Sequence, residues 1–161
     1  MTGGPLEGVR VVDLTTVVVG PIASRTLADQ GAEVIKVEAP EGDILRHLAH
    51  GSRTPGMSGK FMNFNRNKRG VCLNLKHPDG LAAMKRLLAR ADVFVSNVRP
   101  PALERLGLDL ITTYWEPDGN FPDHEPNPLL PENREFIMRK VVEERADLGI
   151  AWDGDADRCF F

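Results

Sequence analysis

The sequence predicts an α/β fold with a parallel sheet, and three observations carry that prediction. Residues 9–14 and 33–38 are short runs rich in β-branched side chains, the first bounded by Gly8 and Thr15-Thr16. Between them Gly20-Pro21 opens a helix running to about Gln30, with Pro21 suited to a first helical position and Gly31 to the stop. Strand, helix and strand within 30 residues make a βαβ unit, whose two strands lie parallel.

Further elements follow in order. Residues 39–70 hold few apolar runs, many glycines and a cluster of cations, and read as a loop. Lys60, Arg66, Lys68 and Arg69, interleaved with Phe61 and Phe64, suit either a polyphosphate with a stacked base or a solvated basic turn. Residues 71–75 alternate like a short strand, and His77-Pro78-Asp79-Gly80 leads into a helix whose Leu81, Met84, Leu87 and Leu88 recur at helical spacing. Residues 92–95 form another strand, with Asn97 just past its C-terminal end. Ligands of open α/β sheets bind at that end, so Asn97 reads as a polar contact or as a turn-forming Asn before Arg99-Pro100-Pro101. A dinucleotide site fails on its fingerprint: the first turn holds one glycine, Gly20, where three are needed, although Glu38 closes the second strand where a ribose-binding acid would stand.

Composition bounds the function classes. The chain has 161 residues, 20 Lys+Arg against 23 Asp+Glu, and 42% hydrophobic residues, as an ordinary globular chain does. No apolar run approaches the ~20 residues of a membrane helix and no targeting segment is legible, so a cytoplasmic protein without a membrane partner is expected. No nucleic-acid motif accompanies the basic patch. Cys72 and Cys159 lack a C-x-x-C partner and read as reduced thiols. Residues 1–109 carry 15 Lys+Arg and 11 Asp+Glu, whereas residues 110–161 carry 5 and 12. That asymmetry fits either two partners of opposite sign or solvated faces that merely differ.

The second stretch reads as a strand over 110–115, a proline-rich loop, a helix to about Ala146, and a strand over 148–152. Phe136, Ile137, Val141 and Val142 supply the expected buried face of that helix. Asp153, Asp155 and Asp157, with Gly154 between the first two, can turn their oxygens to one point, as a hard cation such as Mg²⁺ requires, or can form an acidic turn. An EF-hand is excluded, since its sixth position is Arg158 and no twelfth exists.

Two resemblances then emerge. Leu6-Glu7-Gly8-Val9-Arg10-Val11-Val12-Asp13-Leu14, Gly20-Pro21, residues 31–38, Asn67-Lys68-Arg69, Leu73-Asn74-Leu75-Lys76 and residues 102–107 resemble the opening of a family III CoA-transferase, the group of formyl-CoA and carnitine CoA-transferases and methylacyl-CoA racemases. The resemblance implies a Rossmann-like domain, CoA or acyl-CoA as ligand, and a homodimer. By position it implies CoA contacts at Val17, Leu73, Asn97, Val98, Arg105 and Leu106. Ala39 stands where such transferases often place an Arg, and the family's catalytic Asp, like the His and Asp of its racemases, matches no residue here, so no catalytic residue is assigned.

Residues 116–122, Pro126-Asn127-Pro128, Pro131-Glu132-Asn133, residues 146–151 and Asp153-Gly154-Asp155-Ala156-Asp157-Arg158 resemble the interior of a phosphomannomutase/phosphoglucomutase. That resemblance implies Asp153, Asp155 and Asp157 as Mg²⁺ ligands and Arg158 at the phosphate of a phosphosugar. The expected organisation is therefore a CoA-transferase-like part at 1–109 and a phosphohexomutase-like fragment at 110–161, a joined or shortened product complete in neither reaction. A noncatalytic module that binds CoA or complements a partner subunit is the alternative from another class.

Overall fold

The computed structural model describes residues 3–48, 52–108, 110–114, 118–154 and 159–160. It divides into two compact units, Met1–Asp109 and Leu110–Phe161.

The first unit is built on a four-stranded parallel sheet. Its strands are β1 (Arg10–Leu14), β2 (Glu33–Glu38), β3 (Lys68–Cys72) and β4 (Val93–Ser96), in the order β3-β2-β1-β4. That is the 3-2-1-4 part of a doubly wound sheet, in which the chain reverses its direction of travel between β1 and β4. The register aligns Val12 with Ile35 and with Phe94. Helix α1 (Val19–Asp29) makes the first crossover and ends where Gly31 adopts φ +102°, a conformation that side chains with a Cβ rarely take. Two apolar clusters sandwich the sheet. Val11, Val34, Ala28 and Ala32 pack on one face, and Val12, Val37, Met84 and Leu106 on the other.

Met84 comes from α3 (Pro78–Leu88), whose predicted stripe of Leu81, Leu87 and Leu88 packs beside it. The side chain of His77 caps this helix by accepting the Asp79 N–H, and Pro78 stands in the first turn. The shorter α4 (Pro100–Glu104) contributes Leu103, while Leu106 follows it.

Two expectations for this unit need correction. The segment 39–70 is more than a loop: it holds a 3₁₀ turn at Ile44–Arg46 and α2 (Gly59–Phe64). Each is started by a capping side chain, Asp43 accepting the Leu45 N–H and Ser58 accepting the Phe61 N–H. Caps are local signals, but the apolar content around them is too low for periodicity to register. The third strand lies at Lys68–Cys72 rather than 71–75, because β2 sets the register: Val37 pairs with Val71 and Glu38 with Cys72. Leu73 and Leu75 follow the strand and pack with the second apolar cluster.

The second unit has little regular structure. Its elements are a 3₁₀ turn at Pro131–Arg134, helix α5 (Glu135–Glu144), and an antiparallel pair of β5 (Ala151–Trp152) with β6 (Cys159–Phe160). Residues 110–114 are not a strand, and the expected strand over 148–152 is reduced to its last two residues. The described part of 110–114 has no ladder partner, so its β-branched composition finds nothing to pair with. In α5, Phe136, Ile137 and Val141 are half-buried, but Val142, expected on the buried face, is 77% exposed.

Candidate functional site

The first turn of the sheet, between β1 and α1, rests on a knot of buried charge. Asp13 is fully buried near the C-terminal end of β1 and faces Lys68 of β3, whose Nζ lies 3.0 Å from Asp13 Oδ2. The Asp13 carboxylate also accepts the Thr15 N–H at 2.9 Å and the Ser24 hydroxyl at 2.7 Å. Lys68 further donates to the carbonyl of Pro21 and to Asn65 Oδ1. Burial pushes the Lys68 ammonium below its ordinary value, and the Asp13 charge opposes that shift. A second buried pair lies alongside. Lys36 Nζ donates to the Thr15 carbonyl at 2.8 Å and lies 3.4 Å from Asp43 Oδ2.

Glu38, at the end of β2, receives Arg46 through both carboxylate oxygens, at 2.8 and 2.6 Å, and the Asp43 N–H at 3.0 Å. Burial raises its pKa, but these bonds outweigh burial and leave it below the usual carboxylate range. Arg46 in turn stacks 3.8 Å over the Phe61 ring. Glu38 is thus held within the protein, which agrees with the failed dinucleotide fingerprint.

Three of the four cations singled out in the basic segment are paired with acids, while Lys60, on α2, is exposed. Arg66 pairs with Asp29, Arg69 with Glu33 and Lys68 with Asp13. The sequence left a solvated turn and a polyphosphate site open; acids from α1, β1 and β2 meet these cations across the fold, which no reading of local sequence reveals.

A cavity of about 290 Å³ opens at the C-terminal ends of β1 and β2. Thr16, Glu41, Asp43, Leu73, Leu75, Lys76, Val98, Arg105 and Leu106 are among the residues that line it. Four of the six CoA positions singled out in the sequence, Leu73, Val98, Arg105 and Leu106, therefore meet in one cavity. The other two, Val17 and Asn97, do not line it. Asn97 spends its amide on the turn instead: Oδ1 accepts the Thr16 N–H and Nδ2 donates to the Thr16 carbonyl, both at 3.0 Å. Val17 adopts φ +72° and is 43% exposed. Lys76 was missed, although its place just past a parallel strand, on the side where ligands bind, was a usable signal.

In the second unit, a cavity of about 440 Å³ is lined by Tyr114, Phe121, His124, Phe136, Asp118 and Asp153, among others. Tyr114 packs against His124 and Phe136 with ring centroids 5.4 and 5.0 Å away. Asp153 is only 5% exposed just past β5, whereas Asp155, Asp157 and Arg158 lie outside the described residues. Among the described residues no group of three His, Cys, Asp or Glu side chains is placed to hold a metal, and no helix is long and apolar enough to cross a membrane.

Comparison with known proteins accounts for both halves. The sequence profile of CoA-transferase family III matches residues 6–113, and that of phosphoglucomutase/phosphomannomutase, alpha/beta/alpha domain II, matches residues 94–161. The two matches share residues 94–113. The (R)-2-hydroxy-4-methylpentanoate CoA-transferase of Clostridioides difficile is 42% identical over 106 residues, covering 64% of this chain and 27% of that protein. A CAIB/BAIF family protein from Brucella suis has a solved structure that superposes with TM-score 0.63 at 37% identity, over 68% of this chain and 30% of its own. Phosphohexose mutases of Xanthomonas campestris pv. campestris are 59% identical over 56 residues, which is 35% of this chain and 12% of the relative. The chain thus spans about a quarter of the CoA-transferases it matches and about an eighth of the mutase. CoA is the substrate that the first family implies. Through residues 6–113, with the parallel sheet and the cavity at its C-terminal edge, the chain belongs to CoA-transferase family III.

Proposed function

We propose that the first unit binds CoA or an acyl-CoA in the cavity beside β1 and β2, and that it does so without a catalytic group of its own. The observation that carries this reading is the convergence of Leu73, Val98, Arg105 and Leu106 on one cavity. Leu73, Leu75, Val98 and Leu106 offer apolar walls, and Arg105 with Lys76 offers two cations to phosphate oxygens. Glu38, Asp43 and Glu41 also border the cavity; Arg46 and Lys36 offset the charge of Glu38 and Asp43, which leaves Glu41 as the acid beside the two cations. The protein is then a cytoplasmic CoA-binding chain that pairs with a second copy through this unit and holds acyl-CoA without completing transfer between carboxylic acids.

Thermal unfolding with and without free CoA tests the reading. A ligand that binds only the folded state stabilises it by about 2.7 kcal/mol at a hundredfold excess over Kd, so the melt should move upward. Arg105→Ala should abolish most of that movement. A melt indifferent to CoA overturns the reading, and turnover of acyl-CoA by the purified chain overturns its noncatalytic part.

A second reading follows the other profile. It makes residues 110–161 a mutase-like piece that binds Mg²⁺ through Asp153, Asp155 and Asp157, with Arg158 at the phosphate of a phosphosugar. The near-complete burial of Asp153 beside the aromatic cavity favours it. The bound ion would supply charge neutralisation for phosphoryl transfer. Titration calorimetry with MgCl₂ tests it, since absence of binding heat removes its basis.

A further inference from the structure

We propose that Asn97 and Asp43 are positioning residues that clamp the β1–α1 turn from opposite sides and thereby shape the CoA cavity. The inference rests on the CoA-binding reading above and concerns residues that act through the turn rather than on the ligand.

The turn needs a clamp because of its own backbone. Val17 is β-branched and sits at φ +72°, a left-handed conformation that costs such a residue free energy and persists only where its surroundings over-determine it. Nothing within the turn supplies that hold. Val18, the residue preceding α1, makes no capping side-chain bond, and Val17, Val18 and Val19 are 43%, 38% and 80% exposed, so no apolar packing pins them.

The hold comes from two distant elements. From the β4 side, the Asn97 amide reads both polar groups of Thr16 at 3.0 Å, much as a neighbouring strand would. From the β2 side, Asp43 accepts the Val17 N–H at 3.1 Å. Asp43 is itself anchored by several contacts: it is fully buried, accepts the Leu45 N–H at 2.9 Å, and lies 3.4 Å from Lys36 Nζ. Lys36 also holds the Thr15 carbonyl. Consecutive residues 15, 16 and 17 are thus each held by a side chain 21, 81 or 26 positions away. Thr16 and Asp43 line the same cavity as Leu73, Val98 and Arg105, so the clamp sets part of its wall.

Removing one jaw should loosen the wall while the sheet stays folded, because Asn97 is exposed and contributes to neither apolar cluster. The experiment is isothermal titration of the full chain with CoA, well below the melting temperature so that every variant is fully folded. Asn97→Ala should weaken CoA binding about tenfold, and Asn97→Asp, which can still accept the Thr16 N–H but cannot donate to its carbonyl, should weaken it less. A merely structural role for Asn97 lowers the melting temperature and leaves the dissociation constant of the folded protein unchanged. If Asn97→Ala fails to fold, Asn97→Asp carries the test. Wild-type affinity in the folded variants overturns the clamp alone; wild-type protein that gives no binding heat overturns the CoA reading and the clamp with it.

Discussion

The two units carry helices of similar amphipathic design that meet different fates. In the first, α3 puts Met84 fully out of water against Val12 and Val37, beneath a sheet whose inner strands are lined on both faces. In the second, α5 half-buries Phe136, Ile137 and Val141 and leaves Met138 and Val142 at 65% and 77% exposure. Among the residues of the second unit whose side chains are described, only Pro128 and Asp153 are buried. An apolar stripe stabilises a helix only when another layer covers it, and a pair of two-residue strands is too small a layer. Ion pairs show the same contrast. Asp13–Lys68 is buried in the first unit, whereas Arg139–Glu143 and Lys140–Glu144 in the second are surface pairs one helical turn apart, each worth a few tenths of a kcal/mol.

The largest expected effect is at the buried knot. Lys68→Ala leaves Asp13 charged without its cation, and should cost about 3–5 kcal/mol in chemical denaturation. An effect below 1 kcal/mol would mean that water reaches Asp13. Met84→Ala comes next, at about 2–5 kcal/mol, since it empties the centre of the second apolar cluster. Gly20→Ala should cost about 1–3 kcal/mol, because a Cβ there would lie 2.5 Å from the Thr15 Cβ in the turn above the knot.

Acid sharpens the comparison further. Glu38 is depressed in the folded state, so the unfolded chain binds more protons through the acid range. Its contribution is present above the unfolded carboxylate value of about 4.3 and is lost as pH falls through the lower folded value. Urea midpoints measured from neutral pH downward should therefore fall for wild type and fall less steeply for Glu38→Gln; parallel curves would remove Glu38 as a source. The smallest effect is assigned to the second unit. Val142→Ser should change stability by no more than about 0.5 kcal/mol, and a larger loss would show that α5 is covered on the face that is exposed here.

Much of the first unit was legible because its signals are local. The β2 boundaries follow from a β-branched run, α1 from Pro21 and Gly31, and α3 from its leucine spacing and Pro78. Leu73, Val98, Arg105 and Leu106, which line one cavity, were singled out by the family resemblance and not by any local pattern. Local composition misled where partners decide: residues 110–114 have strand composition without a ladder, and the basic run from Arg66 to Arg69 has the charge of an anion site without free cations.

By itself, then, the sequence determined the parallel α/β class, the order of the first unit's main elements and membership in its family, since periodicity, turn chemistry and motif spacing act over a few residues. Tertiary structure alone decided that Lys68 and Lys36 are buried against Asp13 and Asp43, and that the Asn97 amide bonds both backbone groups of Thr16. It also decided that the second unit holds a helix without a core to cover it. Those outcomes depend on groups brought together from 7 to 81 positions apart, where strand register and burial, and not the neighbouring residues, set the partner.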